Sequence, residues 1–133
     1  MTDQPAETDR SAETDQPAAD PLDPEDRKLV TLARSSRARV QGLHGAAVRD
    51  TTGRTYTAAT VHLSSLQVSA LRLAVAMAVS SGAPGLEAAA LVTADPDQPI
   101  AELDLSAVRD LGGTGVPVLV ADPTGALRAH IAT

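Results

Sequence analysis

The chain has 133 residues, 43% apolar and 21% charged, with no cysteine, no phenylalanine, no tryptophan and one tyrosine. That length holds one domain of ordinary size. No apolar run approaches the ~20 residues of a membrane span, and the acidic, polar start is unlike a secretory or transit leader. Zero cysteine excludes a disulfide, a thiolate nucleophile and any cysteine-ligated metal.

The net charge of −6 divides unevenly. Residues 1–26 carry nine acids against Arg10, a net −8, which leaves eight acids and ten bases, a net +2, for residues 27–133. The low pI therefore belongs to the N-terminal stretch and says little about partners of the rest. Ten of the eleven bases are Arg and about a fifth of the chain is Ala, a bias that suggests a GC-rich bacterial genome.

Residues 1–22 read as a disordered acidic tail. Thr2-Asp-Gln-Pro-Ala6 returns at Thr14-Asp-Gln-Pro-Ala18, and Leu22 is the first large apolar residue after Met1. Such a stretch buries too little surface to offset its ordering entropy. A folded domain is expected over 23–133. Asp23 can cap a helix whose first position suits Pro24, with Glu25 and Asp26 in the first turn. Leu29, Leu32, Ala33, Ser36 and Val40 follow at helical spacing until Gly42 and Gly45 interrupt it.

Leu43–Arg49 and Arg54–Val61 fit two strands joined by the turn Asp50-Thr-Thr-Gly53. Residues 64–81 read as a second helix, with Leu66, Ala70, Leu73, Ala74 and Met77 along its buried face and Arg72 as its one charge. Leu86–Thr93 reads as a buried strand, Leu103–Leu111 as a short helix closed by Gly112-Gly113, and Val116–Ala121 as another strand. The turn Asp122-Pro-Thr-Gly125 leads to a last segment, strand or helix, over 126–131. This is an α/β pattern in which one hairpin precedes parallel crossover units.

Gly45-Ala-Ala47 and Thr52-Gly-Arg-Thr-Tyr-Thr57 resemble the hairpin of small cytidine deaminases, V-G-A-A-L followed by d-G-r-i-Y-t-G-v-N-v-E. Ser69-Ala-Leu-Arg-Leu-Ala74, continuing to Ala78-Val-Ser-Ser-Gly82, is similar to that family's C-A-E-R-v-A and k-A-v-s-x-G. The resemblance covers residues 24–128. It implies a three-layer α-β-α cytidine deaminase-like fold, with a mixed sheet of about five strands that begins with a β-hairpin.

In that family a zinc ion on three Cys or His ligands activates water, and a non-ligating Glu transfers protons. Carried over residue by residue, the first ligand falls on Ser69 and the proton-transferring Glu on Leu71. The sugar-gripping Asn and Glu fall on Thr60 and His62, the aromatic before the hairpin falls on Gly42, and the two CxxC cysteines fall on Ala101 and Asp104. A serine hydroxyl is a poor zinc ligand, and Leu71 transfers no proton, a step commonly worth ~10²–10⁴-fold. The expectation is a deaminase fold without deaminase chemistry: no catalytic residue, no metal ligand and no cofactor, with Thr60, His62, Ser69 and Asp104 lining a remnant ligand pocket.

Other chemistries find less support. His44, His62 and His130 are unpaired in sequence, although a His62/Asp104 pair could contact a weakly held metal or a ligand. Leu111-Gly-Gly-Thr-Gly115 lacks the ending of a P-loop and reads as a helix cap and turn. Ser64, Ser65 and Ser69 have no G-x-S-x-G elbow around them and read as capping residues. Arg27, Lys28, Arg34, Arg37 and Arg39 make the first helix basic, but a single ring offers no stacking platform, so nucleic acid is disfavoured.

A core built of Ala, Val and Leu buries little per side chain. A homo-oligomer is therefore expected, with the apolar helix in the interface, as in the tetramers of the family. The function that follows is a zinc-free, cytoplasmic pseudoenzyme that binds a nucleoside-like ligand or a protein partner. The alternative is a salvage-type cytidine or deoxycytidine deaminase with an atypical site.

Overall fold

The computed structural model describes residue 20 and residues 22–133; the expected tail, apart from its last residues, lies outside them. Helix α1 spans Pro24–Val40. It starts as expected, with the Asp23 carboxylate accepting from the Asp26 amide at 2.8 Å and Pro24 in the first turn. Strands β1 (His44–Asp50) and β2 (Thr55–Ala59) form the hairpin. Then come β3 (Val61–Leu63), β4 (Leu66–Val68), α2 (Ala70–Ser80), β5 (Leu86–Thr93), α3 (Glu102–Gly112), β6 (Pro117–Ala121) and β7 (Leu127–Ala132). The last segment is thus a strand.

Five strands make a mixed sheet in the order β2-β1-β5-β6-β7, in which only β5 and β6 pair in parallel. Because β1 is antiparallel to both β2 and β5, these two run in the same direction with β1 between them. The connections β2–α2–β5 and β5–α3–β6 are therefore crossovers that progress the same way along the sheet. Their common right-handedness puts α2 and α3 on one face.

Strand alternation separates two cores. Ala46, Val48, Ala89, Leu91 and Val118 face Leu71, Ala74, Val75 and Ala78 of α2 and Val108 of α3. Ala47, Ala88, Ala90, Val92 and Leu119 face Leu29, Val30 and Ala33 of α1 on the other side. The result is the expected three-layer arrangement. Helix α1 approaches most closely at Gly45, where a Cβ would collide with the Ala33 carbonyl and the Arg37 backbone.

Two sequence expectations shift. The second helix begins at Ala70 rather than at 64, because 61–68 fold into a separate two-stranded ribbon turned at Ser64-Ser65. The stripe anchored on Leu66 was therefore phased on a residue outside the helix. The buried face is Ala70, Leu71, Ala74, Val75 and Ala78, while Leu66 and Met77 are exposed. On α1, Val30 is buried and Val40 is exposed, since Val40 ends the helix one turn beyond the contact at Gly45.

The two tight hairpins of the main sheet use one sequence device, Asp-x-Thr-Gly. The buried Asp50 carboxylate accepts from the Thr52 amide and hydroxyl, the Arg54 amide and the Tyr56 hydroxyl at 2.6–3.0 Å. Asp122 accepts from the Thr124 amide and hydroxyl and the Ala126 amide. Gly53 and Gly125 close the turns at φ 93° and 89°. Led by the Thr52 hydroxyl, these donors hold the Asp50 carboxyl down at about 2 against the desolvation that opposes them.

Candidate functional site

Helices α2 and α3 meet at their first turns. Ser69 is the N-cap of α2, and its Oγ accepts from the Arg72 amide at 3.2 Å. The same hydroxyl donates to Asp104 Oδ1 at 2.8 Å, joining α2 to the first turn of α3. Asp104 is buried, at 6% exposure. The N-cap of α3 is Ala101, which supplies no side-chain cap. Beside Asp104 lies a cavity of about 140 Å³, walled among others by His44, Thr93, Gln98 and Ala101.

His44 comes from the start of β1, opposite Thr93 of β5. It is half-buried, and desolvation pushes its imidazole below the ordinary 6.5. The Asp104 charge pulls in the opposite direction, and Arg37 reinforces the lowering. Thr60 sits across the hairpin from His44. Its hydroxyl accepts from the His44 amide at 3.3 Å, and its own amide donates to the His44 carbonyl at 3.2 Å. Thr60 and His62 line a different hollow, of about 570 Å³, with Arg37, Gln41 and Leu43.

The four residues expected to share a pocket thus fall into two pairs. Ser69 and Asp104 are hydrogen-bonded beside the small cavity, while Thr60 and His62 line the larger hollow. The histidine that lines the cavity with Asp104 is His44, whereas His62 lines the other hollow. Sequence reasoning missed it because nothing in the chain order ties residue 44 to residue 104; only the pairing of β1 with β5 brings them to one end of the sheet. Leu71 has no exposed surface and belongs to the apolar cluster with Val48 and Leu91.

These residues do not fit a zinc ion. Of the three positions matched to ligands, Ala101 carries a methyl group, and the Ser69 hydroxyl is engaged by Asp104 and by the Arg72 amide. Among the described residues, no group of three or more His, Asp or Glu side chains is gathered to hold an ion. Nor is any described helix long and apolar enough to cross a membrane.

The sheet order and the paired crossovers on one face define a three-layer α-β-α protein, with a polar meeting point where α2 and α3 begin. A family model described as cytidine deaminase-like matches residues 22–125, and the chain belongs to that family. Among solved structures, it is similar to cytidine deaminase from Burkholderia pseudomallei, with a TM-score of 0.67 and 22% identity over 79% of this chain and 90% of that one. Cytidine deaminase from Mycobacterium leprae superposes with a TM-score of 0.65 and 18% identity over 83% of this chain and 94% of that one. For the Mycobacterium tuberculosis cytidine deaminase the TM-score is 0.60, with 22% identity over 80% and 90%. At these identities the likeness is one of fold. No curated protein matches the chain significantly.

Proposed function

We propose that the chain is a zinc-free, non-catalytic member of the cytidine deaminase-like family that works by association rather than by turnover. The observation that carries this reading is the Ser69–Asp104 hydrogen bond, which joins two of the positions that correspond to metal ligands. Leu71, at the position of the proton-transferring acid, lies in the apolar core and supports the same conclusion. With alanine and serine at two of the matched ligand positions and leucine at that of the acid, the family's route to hydrolytic deamination loses both its metal ligands and its proton-transferring group. The cavity beside Asp104, about 140 Å³, is also small against the ~300–1,000 Å³ of ordinary small-molecule sites.

A second reading, a nucleoside-type binder without turnover, draws on the hollow of about 570 Å³ lined by Thr60, His62 and Arg37. It falls within the size range of ligand sites and offers several polar groups.

One experiment addresses all of these. The purified chain is assayed for zinc by elemental analysis and for uridine formation from cytidine and deoxycytidine. It is then melted with and without cytidine, uridine, adenosine and their monophosphates. No zinc, no uridine and no ligand shift is the expected result. A stabilisation of ~2.7 kcal/mol at 100-fold the Kd of one nucleoside selects the binder instead. Stoichiometric zinc with uridine release overturns both readings.

A further inference from the structure

Over residues 27–41, helix α1 and its cap carry five bases, Arg27, Lys28, Arg34, Arg37 and Arg39, and no acid. A surface helix gains support from opposite charges three or four residues apart, and this stretch has none. Among the described residues, only Arg27 of the five forms an ion pair. Lys28, Arg34 and Arg39 are exposed.

The helical repeat sets these cations in two rows on the outward face. Arg27 and Arg34 form the row beside the β6–β7 turn, where they donate to the Gly125 and Pro123 carbonyls at 2.6 and 3.0 Å. Lys28 and Arg39 form the other row, with the small Thr31, Ser35 and Ala38 between the two. The face is therefore cationic along its length and open in the middle.

Arg27 shows what such a face takes. Leu22 packs against the core on the α1 side of the sheet, and the chain ahead of it returns to the helix. The Asp20 carboxylate accepts from Arg27 Nε at 2.7 Å and from Nη2 at 3.1 Å, a two-point ion pair. This hydrogen bonding to Arg27 holds the Asp20 carboxyl below its ordinary value.

Asp20 is the last of six acids in residues 1–20, after Asp3, Glu7, Asp9, Glu13 and Asp15, and Arg10 is the one base there. Asp15 and Glu13 lie at most ~17 and ~23 Å of extended chain from Asp20. Arg34 and Arg39 lie ~10 and ~18 Å along α1 from Arg27. Reach and sign both match. A short tether also presents the segment at an effective concentration near the mM range, which an external polyanion has to overcome. Nucleic acid would find phosphate partners on this face but no aromatic ring on which to stack a base.

We propose that the acidic N-terminal segment, residues 1–20, docks in cis along the outward face of α1, its carboxylates pairing with Lys28, Arg34 and Arg39 as Asp20 pairs with Arg27, and withholds that face from external polyanions. This goes beyond the non-catalytic reading and does not depend on it.

Lys28 is the one lysine in the chain, which allows a direct test on the full-length protein. A water-soluble carbodiimide joins a carboxylate to an amine that it already meets, and mass spectrometry of the linked peptides identifies both residues. At about 10 mM salt, where the screening length is ~30 Å, Lys28 is expected to couple to Asp15 or Glu13. In a mixture of isotope-labelled and unlabelled chains, each link should join peptides of one label. Coupling should fall about fivefold or more at 1 M salt, where the screening length is ~3 Å, and in R34Q/R39Q, whose melting temperature reports its fold. Coupling to Glu25, three residues from Lys28, is the internal reference. A fluorescent single-stranded RNA of about 20 nucleotides should bind D3N/E7Q/D9N/E13Q/D15N about tenfold or more tightly than the wild type, and R34Q/R39Q should remove that gain.

Links from Lys28 only to Asp23 or Glu25 at its own helix start, or links to the segment that persist at high salt, overturn the proposal. Links of mixed label overturn it as well, since they assign the face to another copy's segment. A wild type that binds the RNA as tightly as the neutralised variant shows an open face and has the same force. None of these results bears on the zinc and uridine assays, so the non-catalytic reading stands or falls separately.

Discussion

Replacing Ser69 by alanine removes two hydrogen bonds made by one hydroxyl. As N-cap, the oxygen accepts from the Arg72 amide at 3.2 Å, and losing such a cap costs about 1 kcal/mol. As donor it serves the buried Asp104 carboxylate at 2.8 Å, and a hydrogen bond to a charged group contributes ~1.5–3 kcal/mol. Ser69→Ala should therefore lose roughly 2–4 kcal/mol. In a domain of this size that lowers Tm by about 10–20 °C. Asp104→Ala leaves the cap in place and removes the carboxylate that needed the donor, so it should lose less. The double variant should be more stable than the two losses added, with a coupling of about 1.5 kcal/mol or more from urea or thermal melts. If Ser69→Ala stays within ~0.5 kcal/mol of the wild type, or if the two losses simply add, the hydrogen bond does not hold the helix starts together and the argument built on it fails.

Leu71→Glu restores an acid at the matched position but puts it in the apolar cluster with Val48 and Leu91; it should lose more than ~3 kcal/mol in urea melts. A loss below ~1 kcal/mol would mean that the side chain reaches a polar cavity after all, which weakens the non-catalytic reading. Asp50 supplies a pH signature. Its folded-state carboxyl at about 2 lies below the ordinary 3.8, so its stabilisation is present above pH 4 and is lost as pH falls toward 2. Asp50→Asn should flatten the Tm profile over that window, and an unchanged acid limb would contradict the four-donor turn.

Much of this fold is legible in the chain because local signals agree with one another. Asp23-Pro24, the two Asp-x-Thr-Gly turns and the stretch Leu86–Thr93, apolar from Ala88 to Val92, each name an element, and each forms where expected. The failure at 61–69 has a specific cause. Leu66, Ala70 and Leu73 have helical spacing, but Ser64-Ser65 can turn a ribbon and Ser69 can cap a helix, and periodicity alone does not say which signal prevails. At the site, the cysteine-free positions can be read directly from the letters. The Ser69–Asp104 contact spans 35 residues and His44 reaches its place through β1–β5 pairing, so both follow from topology rather than spacing.

The composition ties the site to the surface. Ala46, Ala47, Ala58, Ala70, Ala74, Ala78, Ala88, Ala89 and Ala90 fill positions where a larger side chain would bury more area, so each layer contact contributes little hydrophobic free energy. A domain so built depends on its polar fastenings: Asp50 and Asp122 at the hairpins, Arg49 to Asp26 and Glu87 across α1 and the sheet, and Ser69 to Asp104 between α2 and α3. The two helix starts are tied together by a hydrogen bond, from the Ser69 hydroxyl to Asp104. A single hydrogen bond of this kind contributes only ~1.5–3 kcal/mol, so in a domain whose core side chains are this small its loss is a large fraction of the total.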